Sequence, residues 1–349
     1  MARVQMTSTE RVVTALSHRE PDRVPRMLLF SVYGARELEL PIRDYFSSPD
    51  QVIRVQLQLR TKYRGDCVSN FFYAAQEVEA WGGEVIFYDD GPPNSGTPVV
   101  GRGQSVFSLE PPRIDGCPTL LRVLEVTAGL RRAVGDDVPV LGTVISPFSL
   151  PVMQLGFERY LDMIYFRPEE FRRLMAVNLE FCAAWAGAQL QAGATAIGYF
   201  NPLASPTIID KATYLATGYA TDQAALSRIP GPVVMHLASG LTLPVLEEII
   251  AAGAVALGFS CRDRVAELKR AAKGRICLLG NLNALEMVHW DERQAEDRVR
   301  DLLAQAGAGG GLLLADNHGD IPWQMPDRVL RDVAAAIDRW GNYPLEWVD

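Results

Sequence analysis

No stretch of this sequence stays apolar for the roughly 20 residues that a helix needs to cross a bilayer, so no membrane-spanning helix is expected. Basic residues are in deficit as well. Lys and Arg number 34 against 42 Asp and Glu, a formal net charge of −8 at pH 7. A nucleic-acid partner usually demands a basic stripe, and none is present. The five cysteines (Cys67, Cys117, Cys182, Cys261 and Cys277) form no CxxC pair. An odd, scattered set fits reduced thiols in a cytoplasm better than a disulfide framework. Met1 to Glu20 lacks an apolar core, so no signal peptide is read there and a cytoplasmic location is expected. A GxGxxG turn after a strand is also missing, which weakens a doubly wound dinucleotide-binding fold. The glycines from Gly307 to Gly311 precede a strand instead and read as a helix cap and turn.

What the chain does contain is rhythm. Its 349 residues are 48% hydrophobic, and apolar runs alternate with longer amphipathic stretches. The spacing predicts strands at Arg26–Phe30, Asp66–Asn70, Val138–Val144, Ala194–Phe200, Val233–His236, Ala254–Phe259, Ile276–Leu279 and Gly311–Leu314. Helices are expected between them, among them Pro118–Val134, Pro168–Ala192, Asp291–Gln305 and Pro326–Trp340. Thr7 to Leu16 reads as a leading helix with Ser8 or Thr9 as its cap. A short strand at Glu84–Tyr88 and a Pro- and Gly-rich loop over Gly91–Pro112 interrupt the pattern. Alternation with short connections means a parallel sheet, and about eight strands mean an α/β fold of the (β/α)8 TIM barrel type with an N-terminal helical extension. One domain over 1–349 is the expected organisation, with an open doubly wound sheet as the runner-up.

Such a barrel places its chemistry at the C-terminal ends of its strands. Those ends carry Ser69, Asn70, Ser146, Asn201, His236, Ser239, Ser260, Asn281, Asn283, Asp316, His318 and Asp320. Only four histidines occur in the chain, and two of them, His236 and His318, close apolar strands. Asp316 and His318 stand two residues apart, which places both on one face of an extended segment. His236 and His318 with Asp316 or Asp320 can bind a divalent metal such as zinc, since catalytic zinc often takes three protein ligands. The alternative is a polar pocket in which the histidines make hydrogen bonds without metal. His18 and His289 read as surface or structural groups, and Cys261 as a small buried residue. Tyr199, Phe200, Trp323 and Met325 lie near strand ends and wall a cavity or fill core. Arg23 and Arg26 flank the first strand, where they meet a substrate carboxylate or form an ion pair with Asp22 or Glu20.

At these residues the chain resembles the uroporphyrinogen decarboxylase superfamily, and in particular its cobamide-dependent methyltransferase branch. The similar phrases are Arg19 to Pro25, Glu79-Ala80-Trp81-Gly82-Gly83-Glu84-Val85, Val233 to Gly240, Gly280-Asn281-Leu282-Asn283 and the closing Gly341-Asn342-Tyr343-Pro344. The resemblance implies a barrel with its site at the strand C-termini. In the methyltransferase branch zinc is held by a His-x-Cys pair and a distant Cys, and it activates a thiol toward a methylated corrinoid. That pair falls on His236 and Ala238 here, and the distant Cys falls on His318. One ligand is kept, one is lost and one changes from sulfur to nitrogen, leaving a His/His/carboxylate set that is a stronger Lewis acid. In the decarboxylase branch an aspartate near the second strand holds the substrate pyrroles, and Ser69-Asn70 stands in its place.

The resemblance therefore implies a methyltransferase of corrinoid-linked one-carbon metabolism. His236, His318 and Asp316 are the expected catalytic and metal-binding groups, and Asn70, Asn281, Tyr199 and Asp320 the expected substrate-binding ones. The expected partners are a small methyl donor or acceptor and a separate corrinoid protein that carries the methylcobamide. No nucleic acid and no membrane are expected, and a homodimer is allowed. The alternatives are a divergent decarboxylase or lyase using the two histidines as acid and base, and a barrel that only binds a small ligand.

Overall fold

The computed structural model describes residues 5–101 and 105–348. The first helix, Ser8–Leu16, is capped by Thr7 rather than by Ser8 or Thr9. Thr7 Oγ1 accepts the Glu10 amide at 3.1 Å, and Glu10 Oε2 accepts the Thr7 amide at 2.8 Å. This reciprocal pair needs a hydroxyl three residues before a glutamate, which only Thr7 provides.

The strands are β1 (Val68–Ser69), β2 (Val85–Ile86), β3 (Asn94–Ser95), β4 (Val140–Ile145), β5 (Ala196–Phe200), β6 (Val233–His236), β7 (Ala256–Gly258), β8 (Cys277–Leu282) and β9 (Leu312–Asp316). Seven of them form one parallel sheet in the order β1-β4-β5-β6-β7-β8-β9. That order never reverses, which removes the doubly wound alternative. The segment from Arg26 joins its two edges. Arg26 bridges in parallel to Leu314, the Met27 amide donates to Leu314 O at 2.8 Å, and the Asp66 amide donates to Arg26 O at 2.9 Å. Beyond Met27 the expected strand stops pairing, because the Ile321 amide takes Leu29 O and the Gln56 side chain takes Phe30 O. The predicted strand at Glu84–Tyr88 shrinks to β2, which pairs antiparallel with β3 inside the Gly- and Pro-rich loop. Short helices at Val32–Glu37, Ile42–Ser47 and Gln76–Ala80 were not expected; their few turns are too brief to show a periodic pattern.

Alternation along each strand divides the core into two layers. Met27, Leu29, Phe71, Leu141, Leu279 and Leu313 fill the barrel interior, closed from below by Val12 and Ala15 of the first helix. Val140, Val144, Ile197, Met235, Leu278 and Leu312 face outward and pack under the helices. Gly307 caps the helix Glu292–Ala306, and Gly309, Gly310 and Gly311 follow with φ of +76°, +69° and +66°. This is the cap and turn expected for that cluster. Among the described residues no helix is long and apolar enough to cross a membrane.

Candidate active site at the barrel mouth

Strand β6 sends Val234 and His236 inward, and His236 arrives at the top of the apolar interior. Its ring lies 4.9 Å from that of Phe200, which stacks at 5.7 Å on Phe71. Two glycines make room for it. A Cβ on Gly258 would stand 2.0 Å from His236 Cδ2, and one on Gly319 would stand 3.3 Å from His236 Cε1. The void beneath the ring measures about 20 Å³, room for little more than one water. Little space is therefore left directly beneath the ring.

The chain turns directly after this strand, and the Ala238 amide donates to His236 Nδ1 at 3.0 Å. Nδ1 must then carry a lone pair, so the neutral ring holds its proton on Nε2. Burial, with the neighbouring His318, pushes the ring pKa down to about 4. His236 is thus a neutral hydrogen-bond donor at pH 7.

His318 holds the same tautomer, but both of its ring nitrogens face side chains. The Ser239 hydroxyl lies against its Nδ1, and its Nε2 faces Asn283 Oδ1 at 3.3 Å. That oxygen also accepts the Leu285 amide at 3.2 Å, so it is an acceptor and His318 Nε2–H the donor toward it. Nδ1 then accepts the serine proton. Burial lowers the pKa of this ring too.

The carboxylates serve the loop that carries His318. Asp316 Oδ2 accepts the His318 amide at 2.9 Å and the Gly319 amide at 2.7 Å. Burial raises its pKa in spite of these bonds. Asp320 accepts the Ser31 amide at 3.0 Å and the Ser31 hydroxyl at 2.6 Å, and burial pushes it up to about 7. It ties the loop after β9 to the helix Val32–Glu37. Asn281 lies at the top of β8, where its Nδ2 donates to Ser260 O at 2.9 Å.

The mouth does not gather every residue that the sequence suggested. Asn70 turns away from it and donates to Thr127 Oγ1 at 2.7 Å and Gln189 Oε1 at 2.8 Å, both on covering helices. Tyr199 also points outward, to Asp222 at 2.6 Å. Strand parity explains both: Phe71 and Phe200 face inward, so their immediate neighbours cannot. Arg23 and Arg26 lie at the opposite end of the barrel. They do form ion pairs, but with Asp66 and Asp338 and not with Asp22 or Glu20.

Nor do His236, His318 and Asp316 make the expected zinc site. Among the described residues no three His, Cys, Asp or Glu side chains are grouped to hold a metal ion. His236 Nδ1 is taken by an amide, its Nε2 carries a proton, Asp316 turns one oxygen to the His318 and Gly319 amides, and Ala238 offers no donor atom. Cys261, the nearest thiol in sequence, accepts Asn317 Nδ2 at 3.3 Å, and burial raises its pKa. The donor set does not fit zinc. Two residues that the sequence reading left without a role are brought to His318 instead, Ser239 and Asn283. Both stood among the polar groups at strand ends; what pairs them is the folding together of β6, β8 and β9.

Residues 7–340 match the family model described as uroporphyrinogen decarboxylase (URO-D). The chain is similar to the uroporphyrinogen decarboxylase of Nitrosomonas europaea, 25% identical over 305 residues, which cover 83% of each protein. It is similar also to that of Hahella chejuensis, 26% identical over 220 residues, with 59% of this chain and 60% of the relative covered. Among solved structures, a methyltransferase from Methanosarcina mazei superposes with a TM-score of 0.83 at 20% identity, covering 96% of this chain and 99% of the other. A B12-independent methionine synthase from Shewanella sp. W3-18-1 follows at a TM-score of 0.58 and 14% identity, over 93% and 96% of the two chains. These likenesses establish the barrel architecture, and the family match extends over nearly the whole of it: the chain belongs to the uroporphyrinogen decarboxylase (URO-D) family.

Proposed function

We propose that this chain is a cytoplasmic methyltransferase of corrinoid-linked one-carbon metabolism, moving a methyl group between a small molecule and a separate corrinoid protein at the barrel mouth. The observation that carries this reading is a pair of neutral imidazoles of the same tautomer with different partners. His236 offers an N–H, and His318 offers a lone pair through the hydroxyl of Ser239. A methyl acceptor such as a thiol or a pterin must lose a proton as it gains the methyl group. His318 receives that proton by way of Ser239, and His236 donates a hydrogen bond to hold the reacting heteroatom. Methylcobamide, when the partner brings it, supplies the electrophilic methyl carbon. The structural likeness to a methyltransferase supports the choice. The relatives named as uroporphyrinogen decarboxylases weigh less, because Asn70 stands where that activity needs an aspartate and turns its side chain to the helices.

The test is transfer from methylated corrinoid proteins to candidate thiols and pterins, followed by corrinoid absorbance and by mass spectrometry of the product. We expect turnover that survives a metal chelator and falls by about 10²–10⁴-fold in His318→Gln. Turnover abolished by the chelator, or release of carbon dioxide from a carboxylated substrate with no methyl transfer, would contradict the reading.

A further inference from the structure

Ser239, His318 and Asn283 come from the ends of three different strands, and their hydrogen bonds run in one direction. The serine O–H points to His318 Nδ1, and His318 Nε2–H points to Asn283 Oδ1. The acceptor character of Asn283 Oδ1 is set independently by the Leu285 amide. This is the order nucleophile, base, orienting group that activates a hydroxyl for covalent catalysis.

The backbone around the serine is held in an uncommon shape. Ala238, just before it, has φ of +50°, in the left-handed region that a residue with a Cβ seldom enters. Three contacts hold the turn: the Ala238 amide on His236 Nδ1, the Gly240 amide on Leu237 O at 3.0 Å, and Ser260 Oγ on Ser239 O at 3.0 Å. Strain kept by its surroundings is a mark of functional turns. The result is a half-buried serine whose hydroxyl is already aligned on a base. Among the described residues no group accepts His236 Nε2–H.

We infer that Ser239 is a nucleophile, and that the mouth has a second, covalent activity: acyl transfer from small esters or thioesters to water. Ser239 Oγ bonds to the acyl carbon and its proton passes to His318 Nδ1. The bond from the acyl carbon to the alkoxide or thiolate breaks, and His318 returns the proton to that leaving group. Water then attacks the acyl-serine, again giving its proton to His318, and the carboxylic acid leaves as the Ser239 hydroxyl is restored. Nothing is oxidised or reduced. His236 Nε2–H is the donor for the oxygen that gains negative charge. This inference stands independently of the methyl-transfer reading, since it requires no corrinoid protein.

The experiment uses the full chain, a fluorophosphonate probe and p-nitrophenyl acetate. We expect one phosphonyl adduct, on Ser239 by peptide mass spectrometry, and a burst of nitrophenolate stoichiometric with the protein. Ser239→Ala should lose both, and His318→Gln should slow labelling about 100-fold. Circular dichroism shows whether these variants fold. As a second route, Ser239→Cys should react with iodoacetamide at least about 10-fold faster than any of the natural cysteines, because His318 draws off the thiol proton. If Ser239 merely orients His318, no adduct forms on it, or the natural protein and His318→Gln are labelled equally fast, or the Ser239→Cys thiol reacts no faster than the natural ones. Any of these results overturns the inference.

Discussion

The two ends of this barrel handle buried polar groups in opposite ways. At the N-terminal ends of the strands, charges are kept and matched. Asp66 is fully buried and accepts from Arg11 at 2.7 Å, from Arg23 at 2.7 and 2.9 Å, from Ser8 at 3.1 Å and from the Arg26 amide at 2.9 Å. Arg11 also clamps Asp22 with two bonds of 2.6 Å. Arg26 reaches Arg64 O, Ala334 O and Asp338. At the C-terminal ends the titratable groups are held by amides and hydroxyls, and burial shifts them toward their neutral forms: His236 and His318 down, Asp316 and Asp320 up. A matched ion network locks the chain ends together. Neutral titratable groups at a barrel mouth are poised to exchange protons. One end pairs its buried charges and the other shifts them toward neutrality.

The contrast breaks most visibly at Asp66. Asp66→Ala takes from Arg11 Nη1, Arg23 and the Arg26 amide their shared buried acceptor. A loss of about 3–5 kcal/mol is expected, measured by urea denaturation. A loss below about 1 kcal/mol would show that the network is ornamental.

Asp320 at the mouth and Asp22 at the other end should respond to pH in opposite directions, while the lowered pKa values of His236 and His318 oppose Asp320 within the mouth. Asp320 binds its proton more tightly in the folded chain, with a pKa raised from 3.8 to about 7. Its contribution is therefore complete below about pH 3.8 and is lost as pH rises to about 7. Asp320→Asn mimics the protonated group and should flatten this part of the stability curve by an amount on the order of 1–4 kcal/mol. Burial pushes Asp22 up, but the hydrogen bonds and charge of Arg11 outweigh it and hold the carboxyl below its ordinary range. Its contribution is present above the unfolded pKa and is lost as pH falls through the lower folded value. Denaturation series from pH 3 to 8 separate the two arms. An Asp320→Asn curve parallel to that of the natural protein would overturn the assignment at the mouth.

Gly258→Ala sharpens the comparison at smaller cost. The new methyl would press on His236 Cδ2, and overpacking of this kind costs about 1–3 kcal/mol. Turnover should fall more steeply than stability, because His236 must shift. Kinetics and thermal melting on one preparation check this, and equal losses would make His236 a packing residue.

Much of the scaffold was legible in the sequence. The apolar runs Val233–His236 and Gly311–Leu314 marked strands that the structure places at Val233–His236 and Leu312–Asp316. The mouth was legible only as a set of strand ends. Asn70 and Tyr199 were misplaced because the register of a strand, not its position, decides which face a side chain takes. Neighbouring Phe71 and Phe200 carried that signal. The zinc set failed for a reason that sequence spacing does not hold: a backbone amide occupies His236 Nδ1, and the amide belongs to a turn with Ala238 in the left-handed region. Arg11 as the partner of Asp22, and Ser239 with Asn283 as partners of His318, are likewise products of tertiary folding.

The central claim is that the mouth holds two neutral histidines of fixed tautomer and no zinc site. Nitrogen-15 NMR of histidine-labelled protein tests it most directly. The chain has four histidines, and a His236→Asn and a His318→Gln variant assign the two that matter. The account predicts that both rings carry their proton on Nε2, that His236 stays neutral down to about pH 4, and that added zinc leaves both spectra unchanged. A proton on Nδ1 of His236, or stoichiometric zinc shifting both rings together, would contradict it.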